Sequence, residues 1–199
     1  MTAVLGACFS GLNSKVPAPQ RYLLRVGPAV PNPAAPPVAA RAGLEVLRPT
    51  AAPGLWGEGI AVTRPGARLD YYNNARWVAD APVALQALLV EALRSAGRFN
   101  TVQTDAGAFG ARYALATEIE HFEADYATDG GTDRPPTVRV TLVCTLGRRS
   151  DRSVVASFTA HSAVRAQADR MQAVIAAFEQ ATGEALAQVT NNIVPPTAP

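Results

Sequence analysis

The segment Val138-Arg-Val-Thr-Leu-Val-Cys144 reads as one strand with two unlike faces: Val138, Val140, Leu142 and Cys144 point one way, Arg139 and Thr141 the other. Strict alternation marks a half-buried strand, because successive side chains leave a pleated backbone on opposite sides. The same pattern flanks it. Upstream, Tyr113, Leu115, Thr117 and Ile119 alternate with small or polar neighbours until Phe122 breaks the phase, as a bulge would. Downstream, Val154, Ala156, Phe158 and Ala160 alternate with Val155, Ser157, Thr159 and His161. Asp129-Gly130-Gly131 with Pro135-Pro136, and the stretch from Gly147 to Ser150, supply the turns. Three long strands joined this way predict an antiparallel meander with one buried face.

Outward from this meander the pattern changes period. Arg21 to Val26, Gly43 to Leu47, Gly59 to Thr63 and Phe99 to Thr104 read as shorter strands, and Pro65-Gly66 turns the chain into a hairpin with Arg68 to Tyr72. Asp80, with Pro82 in the first turn, is placed to cap a helix whose apolar positions are Val83, Leu85, Leu88, Leu89 and Leu93. Gly97 stands where a left-handed cap ends such a helix. A second helix is expected from about Ala166 to Val189, with Met171, Val174, Ile175, Phe178, Leu186 and Val189 as its apolar stripe. Proline at positions 28, 31, 33, 36 and 37 makes the stretch between the first two strands an extended loop, read as a solvated connector with a partner-binding polyproline segment as the other reading. The fold class is therefore α+β, a mostly antiparallel sheet packed by two main helices.

Composition narrows the function. The formal net charge is +2 and the arginines are scattered, so no basic patch points to nucleic acid. No run of apolar residues is long enough to span a bilayer as a helix. The first eight residues carry another signal. Leu5-Gly-Ala-Cys8 has the form of a lipobox: an aliphatic residue, two small ones for a signal peptidase, and a thiol free to take a diacylglyceryl group. Only Met1 to Val4 precede it, so residues 1–20 are expected to be a shortened lipoprotein signal and lipobox followed by a flexible tether. Residues 21–193 would form one domain, and residues 194–199 a proline-rich tail. Cys8 as an ordinary residue of an unstructured tail is the plainer alternative.

The stretch from Leu55 to Val102 carries a resemblance. Gly59-Ile-Ala-Val62, then Leu69-Asp-Tyr-Tyr72, then Arg76-Trp77 ahead of Pro82 and an amphipathic helix closing on Ser95-Ala-Gly-Arg-Phe99, is similar to the ABC-type transport auxiliary lipoproteins. Tyr22-Leu-Leu24, the Tyr113 to Phe122 strand and Ala176-Ala-Phe178 fit in the same order, so the resemblance runs from about Tyr22 to Ile193. It implies a periplasm-facing lipoprotein, anchored at the outer membrane through Cys8. Its implied partner is the mammalian-cell-entry (MCE) subunit of an ABC system that moves phospholipids or related hydrophobic compounds. A homo-oligomer is compatible with that role. ATP hydrolysis would belong to another subunit: Gly6 and Gly11 have P-loop spacing, but Leu12 stands where the phosphate-binding lysine must be.

The remaining constellations argue for binding over turnover. Tyr71, Tyr72, Arg76 and Trp77 form the densest aromatic cluster. In one reading Trp77 and one tyrosine pack under the first helix while Arg76 snorkels; in the other the four residues are a partner-binding face, of the composition that dominates interface hot spots. His121 and His161 lack the companions of a zinc site, and Glu118, Glu120, Glu123 and Asp125 around His121 read as a solvated strand edge. No metal and no cofactor is expected. No Gly-x-Ser-x-Gly elbow occurs, and Cys144 reads as an inert core thiol. A second functional reading is a small carrier that holds a lipid between sheet and helices, which would need a wide, lined cavity.

Overall fold

The computed structural model describes residues 18–27, 42–104, 110–126 and 134–193. In chain order the elements are β1 (Gln20–Tyr22), β2 (Gly43–Val46), β3 (Thr50–Ala51), β4 (Gly59–Arg64), β5 (Arg68–Trp77) and α1 (Ala81–Ser95), followed by β6 (Thr101–Gln103), β7 (Tyr113–Asp125), β8 (Thr137–Arg148), β9 (Val154–Arg165) and α2 (Met171–Asn192). This is the α+β architecture expected; among the described residues nine strands form one sheet.

The alternating segments build the antiparallel ladder β7–β8–β9, paired along nearly the whole length of each strand. Ile119 pairs with Leu142 and His121 with Thr141, so Glu120 is the extra residue of a bulge. The inward face of β7 therefore switches from the odd positions Tyr113, Leu115, Thr117 and Ile119 to Phe122 and Ala124, all buried. The phase break at Phe122 is this bulge. From β8, Val138, Val140, Leu142, Cys144 and Leu146 all point into the core.

The other edge of β7 is taken in turn by three short strands running parallel to it: β2 at Tyr113–Leu115, β3 at Glu118–Ile119 and β4 at Glu123–Asp125. β6 extends the sheet beside β2, and β5 pairs antiparallel with β4. β1 adds a parallel strand to the far end of β5. The acidic stretch around His121 therefore lies on the central strand and not on an edge. Glu118 and Glu120 project from the sheet face away from the core, while Glu123 and Asp125 are buried.

Both helices cover one face. α2 lies across β8 and β9, and α1 packs against α2, β2 and β6. The α2 stripe of Val174, Ile175, Phe178, Leu186 and Val189 is buried as its spacing requires. At the outer edge of β9 the His161 amide donates to Gln188 Oε1 (3.1 Å) and Gln188 Nε2 donates back to the His161 carbonyl (2.7 Å). A helix side chain thereby stands in for a neighbouring strand at that point of the edge.

Several boundaries differ from expectation. α2 begins at Met171, because Ala166 donates to the Pro136 carbonyl (2.9 Å) and prolongs the ladder instead. β1 ends at Tyr22, after which Leu24 turns into the core and Leu23 stays exposed. β5 continues to Trp77 rather than stopping at Tyr72. Asp80 occupies the N-cap position of α1 without making the cap bond. Its carboxylate faces Arg48 at 3.6 Å, and the first turn closes on its backbone carbonyl. Gly97 does take the left-handed conformation, with φ +64°.

Candidate functional site

The four residues of the Tyr/Arg-Trp element lie on one strand, and the strand sorts them. β5 is in register with β4 at Tyr71↔Ala61 and again at Arg76↔Gly59, so Tyr72 to Ala75 arch away from the partner strand. Arg76 closes this arch: its Nη1 donates to the carbonyls of Tyr72 (2.7 Å) and Ala75 (2.8 Å). Asn73 and Asn74 sit exposed at the top.

Tyr71 lies on the outer side of the arch with 44% of its surface exposed. Its ring rests on Gly59, where a Cβ would come within 2.6 Å of Cδ1, so only glycine lets the ring lie flat there. The hydroxyl donates to the Gly54 carbonyl (2.8 Å), and Gly54 itself takes φ +89°. The ring edge is thus presented to solvent on a fixed support.

Tyr72 points the other way and is half-buried. Its hydroxyl meets that of Tyr126 (3.0 Å), which donates to Asp169 Oδ1 (2.5 Å). Because Tyr126 spends its proton on the carboxylate, Tyr72 is the donor in the first contact. Burial raises the Tyr72 phenol above its ordinary value, and burial together with the Asp169 contact raises that of Tyr126. Both remain neutral at physiological pH.

Trp77 is in the core, only 2% exposed. Its ring meets Phe178 edge-on at 5.2 Å between centroids and Phe122 at 5.6 Å, and those two phenylalanines meet at 5.1 Å. It packs against Phe178 of α2 and has no surface to offer a partner. Of the four candidate residues, Tyr71, Arg76 and the edge of Tyr72 are the ones that reach the surface.

Two clefts flank the arch. One, of about 380 Å³, lies between Gln20, Tyr22, Tyr72, Asn73 and Met171. The other, of about 530 Å³, runs along Arg64, Arg68, Asp70, Tyr71 and Arg76. The sequence reading missed Arg64, Arg68, the two asparagines and the Tyr126–Asp169 pair. Asn73-Asn74-Ala75 interrupting a strand pattern was the available sign of an arch. Between the helices, the gap lined by Val26, Leu88, Ala92, Gly183 and Leu186 holds about 20 Å³, room for one water and not for an acyl chain.

The remaining candidates stay apart. His121 Nδ1 contacts Glu123 Oε1 at 2.7 Å, and among the described residues no three metal-ligating side chains converge. Burial pushes the Cys144 thiol up to about 11, and its contact is the Thr117 hydroxyl. Cys8 lies outside the described residues. Among those described, no helix is long and apolar enough to cross a membrane.

This arrangement of two covering helices, one bulged central strand and a closed core runs over the same span as a known family: residues 22–193 match the ABC-type transport auxiliary lipoprotein component. The chain belongs to that family. Membership makes it an auxiliary lipoprotein of an ABC-type transport system and implies a non-catalytic role. Protein XCC0632 from Xanthomonas campestris is similar in structure, with a TM-score of 0.75 and 30% identity over 86% of this chain and 92% of that one. An uncharacterized protein follows the same fold with a TM-score of 0.66 and 16% identity, covering 88% and 98% of the two chains. PelC from Paraburkholderia phytofirmans, crystallised as a dodecamer, gives a TM-score of 0.47 at 17% identity, covering 78% and 92%. Among curated proteins no relative is found.

Proposed function

We propose that this auxiliary lipoprotein serves an MCE-type ABC system that moves phospholipid or another hydrophobic compound. In this reading Cys8 anchors it to the periplasmic face of the outer membrane, and Tyr71, Tyr72 and Arg76 dock the MCE-domain subunit. The observation that carries the reading is the split along β5. Trp77 anchors the strand inside, while Tyr71 and Arg76 are held outward by a glycine seat and two backbone carbonyls. A rigid, half-exposed Tyr/Arg pair is what an interface hot spot needs, since little side-chain entropy is lost on binding. The small gap between the helices supports an adaptor over a carrier that encloses a lipid. Nine residues lie between Cys8 and Ala18, and the ten steps from one to the other reach at most about 35 Å, so an anchored domain would stay close to the membrane with β1 nearest the tether.

The test is expression with a complete signal sequence. The protein should incorporate labelled palmitate and fractionate with the outer membrane, and Cys8→Ser should abolish both. Unchanged fractionation of Cys8→Ser would overturn the anchor.

A further inference from the structure

We infer that the cleft along the outer end of β5 is a binding site for a phosphate ester, held by Arg64, Arg68 and Arg76. The inference goes beyond the docking role and does not rest on it. Arg64 and Arg68 stand directly opposite each other in the β4–β5 hairpin. Like charges in that position repel and are ordinarily avoided. One carboxylate, Asp70, braces both through their Nε atoms, at 3.3 Å for Arg64 and 2.9 Å for Arg68. Among the described residues their terminal Nη groups reach no protein acceptor and are left for the cleft. Arg64 is steadied further by the Tyr126 ring, 5.3 Å beneath its guanidinium carbon.

Arg76 adds a third fork. Its Nη1 is committed to the two arch carbonyls, and among the described residues no carboxylate offsets its charge. The nearby Glu58 is taken by Arg21 at 2.9 Å. The cleft thus sets three guanidinium groups against one carboxylate, in about 530 Å³.

The geometry favours a tetrahedral oxyanion over a lone carboxylate. Planar forks arriving from separate positions can each take two oxygens of a phosphate, which has oxygens to share among them. The cleft is larger than a phosphate ion, and Leu69 and Tyr71, both well exposed, give it an apolar wall. That wall suits the organic part of an ester. The same chemistry is offered by a soluble organophosphate and by the headgroup of a phospholipid.

The experiment uses three probes on the purified protein: sn-glycerol 3-phosphate followed by calorimetry, phosphatidylcholine vesicles with and without phosphatidylglycerol followed by flotation, and an acidic hexapeptide of glutamate. The site variant is Arg64→Gln/Arg68→Gln, which leaves the docking residues intact. The control is Arg112→Gln/Arg152→Gln, which removes the same charge from exposed positions at the far end of the sheet, about 40 Å away along β7. Should the double site variant melt low, Arg68→Gln alone replaces it, because that side chain is 66% exposed.

A phosphate probe should bind the parent and the control alike, and bind the site variant about tenfold more weakly. Binding confined to glycerol phosphate identifies a soluble ligand. Flotation with phosphatidylglycerol that glycerol phosphate displaces identifies a headgroup. The inference is overturned if neither phosphate probe binds, if the control loses as much as the site variant, or if the acidic peptide binds there in preference to phosphate.

Discussion

Replacing Trp77 separates the two halves of β5 most sharply. The indole is 2% exposed and shares ring contacts with Phe122 and Phe178. Truncation to alanine removes a large buried side chain and leaves a cavity, which costs about 3–5 kcal/mol. One feature reduces that cost. Among the described residues the buried indole Nε1 finds no acceptor, so its removal recovers part of a penalty of about 1–3 kcal/mol. For a chain of this size, each kcal/mol moves the melting temperature by about 2–4 °C, which places Trp77→Ala roughly 10 °C below the parent. Trp77→Phe keeps the edge-on contact with Phe178 and drops the unpaired N–H, so it should melt within about 3 °C of the parent. Tyr71→Ala, six residues earlier on the same strand, should hardly move. Thermal unfolding followed by circular dichroism decides the matter. Trp77→Ala melting with the parent, or Trp77→Phe falling as far as Trp77→Ala, would refute the placement of the ring in a packed aromatic core.

Two further predictions bear on neighbouring features. Gly59→Ala should displace the Tyr71 ring and break its bond to the Gly54 carbonyl, costing about 1–3 kcal/mol in a denaturant melt and weakening partner binding although Tyr71 itself is kept. In a Cys8→Ser background, Cys144 should resist a thiol reagent at pH 8 until the protein unfolds. Because its pKa is raised from 9.0 to about 11 in the fold, stability should be intact below pH 9 and fall by about 3 kcal/mol between pH 9 and pH 11, a loss that Cys144→Val removes.

What could be read from the chain follows the range of the forces involved. The ladder β7–β8–β9 was legible because alternation and turn residues are local, and the bulge was legible because Phe122 falls out of step with Ile119. The stripe of α2 was legible for the same reason. The parallel docking of β2, β3 and β4 along one edge of β7 was not, because strand partners distant in sequence leave no mark in either strand. That pairing also made the acidic residues around His121 look like an edge. Glutamates at alternate positions report a wet face, and a central strand with one uncovered face gives the same pattern as an edge strand. The site was half legible. Tyr and Arg beside Trp signalled an unusual surface, yet nothing local showed that Trp77 turns inward or that an arch of four residues lies between Tyr71 and Arg76. The pairing of Arg64 with Arg68 around Asp70 needed the hairpin register, and the tyrosine pair needed Tyr126 brought back from fifty-four residues away.

The proposed mode of action is the docking of an MCE-domain subunit through the outer side of β5. Its most direct test is the affinity of the purified MCE-domain subunit for the parent, for Tyr71→Ala and for Arg76→Ala, each checked by its melting curve. Docking through this surface requires binding by the parent and, for at least one variant with an unchanged melt, a loss of about 2 kcal/mol or more, roughly thirtyfold in Kd. Variants that melt normally and bind like the parent would contradict it.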